Sequence, residues 1–136
     1  MHAFVDSHAH LADPAFDADR DEVIERARLT GARALVCIGE SLETARRAGD
    51  IAARYPGFVY HTAGVHPYDA ERFDATRDLD GIRAEVARGA VAIGECGLDY
   101  HYDHSPRDRQ RAAFEAQLTL AGELDRAVVV HTREAE

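Results

Sequence analysis

Lysine is missing from this chain: all 16 of its basic residues are arginine. Arginine suits bidentate contact with phosphate, but so complete a replacement reflects coding bias more than function, and it carries no weight below. Cysteine is scarce, with two in 136 residues. In a chain whose start, Met1-His2-Ala3, has neither the basic region nor the apolar stretch of a signal peptide, two cysteines argue for free thiols in a reducing compartment. No apolar run is long enough to span a membrane. The expectation is a soluble, cytoplasmic protein with no membrane partner. Positive charge is also in deficit, at a net −9. That argues against a nucleic-acid binder of the basic-surface kind, although bound divalent cations would reverse the sign locally.

What is present is 46% hydrophobic residues arranged in a repeating rhythm. A first strand, Phe4-Val5-Asp6-Ser7-His8-Ala9-His10, leads into Asp13-Pro14 and an acidic loop. A helix follows from about Arg20 to Thr30, with Asp19 as cap, Glu22 three residues on and Gly31 as stop. Val23, Ile24 and Ala27 form its apolar stripe. Ala34 to Gly39 is a continuous apolar run, as expected of a strand buried on both faces. Ser41 caps a second helix that ends before Pro56-Gly57, and Phe58 to Ala63 reads as the third strand. Leu79, Ile82 and Val86 mark a third helix ending at Gly89, and Ala90 to Gly94 is the fourth strand. Ser105-Pro106 supplies a cap and a first-turn proline for the longest helix, lined by Phe114, Leu118, Ala121 and Leu124. Ala127 to Val130 is the fifth strand.

Five strands alternating with four helices predict an α/β fold with a parallel sheet, in one domain over residues 1–136. Doubly wound sheets and closed barrels share that rhythm, and the polar residues separate them. His8 and His10 follow the first strand, His66 the third, Glu95 the fourth and His131 the fifth. Barrel enzymes assemble their sites at the carboxyl ends of successive strands in this way. A Gly-rich phosphate fingerprint after the first strand, which would favour a doubly wound sheet, is absent.

Alternation along an extended strand turns Asp6, His8 and His10 to one face. Two imidazoles there make half of a metal site, with Asp6 a ligand or an acceptor that fixes a histidine tautomer. Glu95 follows small apolar residues, where an unpaired carboxylate is costly; a metal removes that cost, as would a buried arginine. His131, after three valines, is either a ligand or a donor to a backbone carbonyl. His66 before Pro67 shapes its loop or faces a substrate. Asp99 holds Glu95 or a histidine in place, or caps the turn after Gly97. His61 reads as a satisfied core histidine, His101 and His104 as solvated loop residues, and Cys37 as a small buried hydrophobe. Cys96 points away from its neighbour Glu95 in an extended chain and is not counted as a ligand.

Taken together these residues resemble the TatD family of metal-dependent deoxyribonucleases, within the amidohydrolase-like barrel enzymes. Asp6-Ser7-His8-Ala9-His10 resembles the opening histidine motif of that family, Gly64-Val65-His66-Pro67 its second signature and Gly94-Glu95-Cys96-Gly97-Leu98-Asp99-Tyr100 its third. The stretch Gln110 to Leu120, with Phe114 and Gln117, and then Val130-His131-Thr132-Arg133, complete a collinear set. The resemblance implies a (β/α)₈ barrel of the TIM type, of which this chain holds five strands and four helices. It implies two divalent metal ions (Mg, Mn or Zn), with His8 and His10 on the first, Glu95 bridging both as the catalytic carboxylate, and His131 on the second. Asp6, His66, Asp99 and Arg133 would support the ligands or hold substrate. The implied reaction is hydrolysis of DNA phosphodiester bonds, as an exonuclease on single strands, by a water activated between the two metals. The same site would suit an ester or amide substrate such as an aminoacyl-tRNA, and a non-catalytic truncated domain is the third reading. The family has two further ligands, a histidine near the sixth strand and an aspartate after the eighth, that fall beyond residue 136. A barrel usually takes about 250 residues, so the expectation is a fragment that is inactive alone. Its first and last strands would be open edges inviting self-association.

Overall fold

A computed structural model describes residues 2–136. Its strands are β1 (Phe4–Ala9), β2 (Ala32–Cys37), β3 (Val59–Ala63), β4 (Ala92–Asp99) and β5 (Ala127–Arg133). Between them run the helices α1 (Arg20–Leu29), α2 (Leu42–Arg54), α3 (Ala75–Arg88) and α4 (Arg107–Leu124), with 3-10 segments at Pro14–Phe16 and Pro67–Arg72. All neighbouring strands are parallel, and their order in the sheet is their order in the chain. Parallel crossovers are almost always right-handed, so an unbroken order carries every helix to one face of the sheet. No reversal occurs, hence no switch point, and the doubly wound alternative falls. The result is half of a β/α barrel.

The face between sheet and helices holds the core. Leu11, Ile24, Leu35, Cys37, Ile51, Phe58 and Val59 form one cluster; Ala45, Ala63, Ile82, Ile93, Leu120 and Ala121 form another. Ser41 caps α2 as expected, in a reciprocal arrangement with Thr44, and Gly89 ends α3 with φ 121°. Asp19 precedes α1 but makes no side-chain cap bond. Pro106 is the N-cap residue of α4 and not part of its first turn. Ser105 serves elsewhere: its hydroxyl donates to the Tyr68 carbonyl (2.9 Å) and accepts from the Glu71 N–H (3.0 Å), tying the Pro67–Arg72 segment to the start of α4.

Helix α4 departs most from its apolar pattern. Leu118 is 42% exposed, while Gln110 and Gln117 are buried with Ala113, Leu120 and Ala121. The two amides satisfy backbone groups at the ends of β3 and β4, in the loop at Val65 and at the last residue of β4, Asp99. Gln117 accepts from the Val65 N–H (2.8 Å) and donates to the Val65 carbonyl (3.1 Å). Gln110 accepts from the Asp99 N–H (2.8 Å) and donates to the carbonyls of Asp99 (3.1 Å) and Ser105 (2.8 Å). Both site-bearing loops are therefore bolted to one helix. Strands β1 and β5 are the two edges, where Phe4, Val5 and Val130 are exposed. Among the described residues, no helix is long and apolar enough to cross a membrane.

Candidate metal centre

The carboxyl ends of β2, β3 and β4 are drawn together by a buried hydroxyl. Thr62 donates to the Gly94 carbonyl (2.7 Å) and accepts from the Gly39 N–H (3.1 Å), and the Glu95 N–H donates to the Gly39 carbonyl (2.7 Å). Side chains would not fit here: a Cβ on Gly64 would run into the Gly94 backbone. Glu95 was expected just beyond the fourth strand, yet it lies inside β4, as His131 lies inside β5. The ladder between these strands slips between Ile93 and Cys96, and Gly94 has φ 138°, a conformation favoured in glycine. The slip breaks the regular pleat where Glu95 emerges.

Glu95 is the hub. It is buried, its side chain 8% exposed, and it makes no hydrogen bond through its carboxylate among the described residues. Three imidazole nitrogens surround it instead. His8 Nε2 stands 3.5 Å and His10 Nε2 3.9 Å from Glu95 Oε2, while His131 Nδ1 stands 3.4 Å from Oε1. These separations are too long for hydrogen bonds. They suit ligand atoms about a shared cation, each about 2.0–2.2 Å from it. Two groups of ligand atoms result, His8–His10–Glu95 and His66–Glu95–His131. Among the described residues, no arginine pairs with Glu95.

Around this hub, His131 is oriented by Asp99, whose Oδ2 lies 2.8 Å from Nε2. Asp99 is wholly buried and also accepts from the Tyr102 N–H (3.0 Å) through Oδ1, so it both holds a histidine and caps the turn. Burial acts to raise its pKa but is outweighed by the Tyr102 N–H, the His131 contact and the Arg133 charge, which hold it below the usual carboxylate range. Arg133 Nε reaches to 4.0 Å of the same Oδ2, its side chain half-exposed. His66 is buried; its Nδ1 accepts from the Tyr68 N–H (3.2 Å), which leaves Nε2 free. Desolvation pushes its pKa down to about 4, so near neutral pH it is an uncharged imidazole whose one lone pair, on Nδ1, is taken by the Tyr68 N–H, and Nε2 carries the proton as a donor.

Asp6 departs from the one-face reading of the first strand. Its Oδ1 accepts from the His8 N–H (3.1 Å), and it stays exposed outside both groups. Pairing of β1 with β2 is irregular between Asp6 and Ala9, which breaks the alternation on which that reading relied. Glu40 was overlooked. Its Oε1 lies 2.7 Å from His10 Nδ1 but without the direction of a hydrogen bond, leaving that buried nitrogen without a partner. The signal was in the sequence: Ile38-Gly39-Glu40 repeats Ile93-Gly94-Glu95. An orphaned imidazole nitrogen and an unbonded buried carboxylate both fit a donor set for divalent cations. His61 is buried and bonded to Glu85 (3.1 Å), and both cysteines are buried and free.

A carboxylate shared between two histidine groups, at the carboxyl edge of a parallel β/α sheet, is a donor set of the kind β/α barrel proteins assemble from successive strands. The sequence pattern described as TatD related DNase matches residues 5–136, and the chain belongs to that family. It is 43% identical over 126 residues to the "3′-5′ ssDNA/RNA exonuclease TatD" of Rahnella sp., covering 93% of this chain and 48% of that protein. It is 42% identical over 132 residues to the "uncharacterized metal-dependent hydrolase YabD" of Bacillus subtilis, covering 96% and 51% respectively. The crystal structure of YJJV, a TatD homolog from Escherichia coli, superposes with a TM-score of 0.85 at 29% identity, over 96% of this chain and 51% of that one. The chain thus spans about half the length of the relatives it matches.

Proposed function

We propose that the protein containing these residues hydrolyses phosphodiester bonds in single-stranded DNA or RNA, removing nucleotides from the 3′ end. The observation that carries this reading is Glu95, one buried carboxylate common to two groups of potential ligands. Relatives named as single-strand exonucleases support it. His8, His10 and Glu95 would hold one divalent cation, and Glu95 with His131 a second. His66, whose Nδ1 accepts from the Tyr68 N–H, donates from Nε2 to a phosphate oxygen. When bound, such cations supply Lewis-acid activation of water and neutralise phosphate charge, and Mg, Mn and Zn all suit nitrogen and carboxylate ligands.

The chain's own residues do the rest. Asp99 fixes the His131 ring so that Nδ1 faces Glu95. Arg133, beside the buried Asp99, presents its guanidinium to a phosphate. The further histidine and aspartate that the family resemblance implies are not among these 136 residues, and the chain by itself is expected to bind cations while hydrolysing little or nothing. The test takes the gene product that carries these residues and follows stepwise shortening of 5′-labelled single strands from the 3′ end with Mg or Mn. Shortening that stops with chelator and with His8→Ala supports the reading. Turnover of an acyl ester with no shortening overturns it.

A further inference from the structure

An aromatic surface borders the metal centre on the side of β5. Tyr68 sits on the Pro67–Arg72 segment, and Tyr102 and His104 on the loop between β4 and α4. The Tyr68 ring lies 4.3 Å from His66 and 6.1 Å from His131, centroid to centroid, so the surface begins at the candidate ligands themselves. It continues outward through His104, 4.4 Å from Tyr68, and Tyr102, 6.0 Å from Tyr68. The rings of Tyr102 and His104 are nearly parallel, at 14°. The Arg133 guanidinium stands over Tyr102, 5.1 Å from its centroid. Yet Tyr102 is 52% and Tyr68 37% exposed, so large ring area stays in water where burial would be favourable.

The backbone beneath these rings is held firmly. The Tyr102 N–H is fixed by buried Asp99, and the Tyr68 carbonyl by the buried Ser105 hydroxyl. Aromatic rings presented in water on anchored backbone, beside a phosphate-handling site, match how single strands are gripped: bases stack on rings whatever their sequence, since every base has a π-face. In a duplex those faces are already covered by neighbouring bases.

We infer that Tyr68, Tyr102 and His104 form a stacking surface for the nucleobase next to the scissile phosphate, selecting unpaired ends of any sequence. This rests on the phosphodiesterase reading of the same site. Arg133, between Tyr102 and the metal centre, spans base and phosphate.

Fluorescence anisotropy tests it, with the gene product that carries these residues titrated in Mg against two 5′-fluorescein-labelled phosphorothioate oligothymidylates, which resist cleavage, one intact and one abasic at its last two 3′ positions. The intact strand should bind about tenfold more tightly, in keeping with one or two stacked bases. Tyr102→Ala should abolish that preference, and Tyr102→Phe and Tyr102→Trp should keep it. Because the abasic comparison uses the unaltered protein, a misfolded variant cannot mimic the result. Equal affinity of the unaltered chain for both strands, or a preference that survives Tyr102→Ala, overturns the stacking surface alone. Failure to bind either strand overturns the nucleic-acid reading and this one with it.

Discussion

His131 and Asp99 form a buried imidazole–carboxylate pair at 2.8 Å, through Nε2 and Oδ2. An ionised carboxylate only accepts, so Nε2 carries the proton and Nδ1 offers its lone pair toward Glu95, 3.4 Å away. Partners of this kind typically contribute 10–100-fold to cation affinity. Asp99→Asn keeps the shape but loses the charge, and titration calorimetry with Mn should show binding weaker by about that factor. Unchanged affinity would remove Asp99 from the site's machinery.

Glu95 is the one residue common to both ligand groups. Glu95→Gln should therefore lower the cation stoichiometry at both, whereas His8→Ala should spare the His66–Glu95–His131 group. The effect on stability runs the other way. A buried carboxylate without a hydrogen bond is costly, so in chelator Glu95→Gln should unfold at an equal or higher urea concentration than the parent. A loss of more than about 1 kcal/mol, a typical single-substitution effect, would contradict that.

Gln117 serves three backbone groups, the N–H and carbonyl of Val65 and the carbonyl of Ala113. Gln117→Leu leaves the first two buried and unpaired, each costing about 1–3 kcal/mol. Urea denaturation should show a loss of about 2–6 kcal/mol, with weaker cation binding because Val65 precedes His66. A neutral result would mean that water reaches Val65.

Acid should weaken the fold through two histidines. His61 has its pKa lowered, first by desolvation, which outweighs the opposing Glu85 contact, and His66 is lowered to about 4. A depressed pKa means the unfolded chain binds the proton more readily, so stability is full above about pH 6.5 and falls as pH drops toward the folded values. The urea midpoint in chelator should decline from pH 7 to pH 5. His61→Gln, which keeps a donor for Glu85, should flatten part of that decline. An identical decline in the variant would clear His61.

The strand-and-helix rhythm was legible because each core strand is an apolar run between turn residues, and the strand-end positions of His8, Glu95 and His131 pointed to a barrel edge. The runs misjudged where strands stop. Strands β4 and β5 continue through Glu95–Asp99 and His131–Arg133, where Glu95, Asp99 and His131 face a site and not a core. Helix α4 was misread for a related reason: Gln110 and Gln117 look like solvent positions until the loop backbone they satisfy is known, and Leu118 looks like core although nothing buries it. Asp6 was misplaced because strand alternation presumes a regular ladder, which β1 lacks beyond it. Glu40 carries the same Ile-Gly-Glu signature as Glu95, but its nearness to His10 arises from the pairing of β1 with β2 and is not visible along the chain.

Because the strands lie side by side in chain order, the histidines flanking Glu95 come from opposite ends of the sequence. His8 and His10 leave the ribosome early, and His131 only after four helices have been made. Pairings so distant in sequence are slow to form, and while His8, His10 and Glu95 need only β1 and β4, the His66–Glu95–His131 group is not assembled until β5 docks. Loading of that group with a cation would then follow the docking of β5, and would be a readout that this strand is in place.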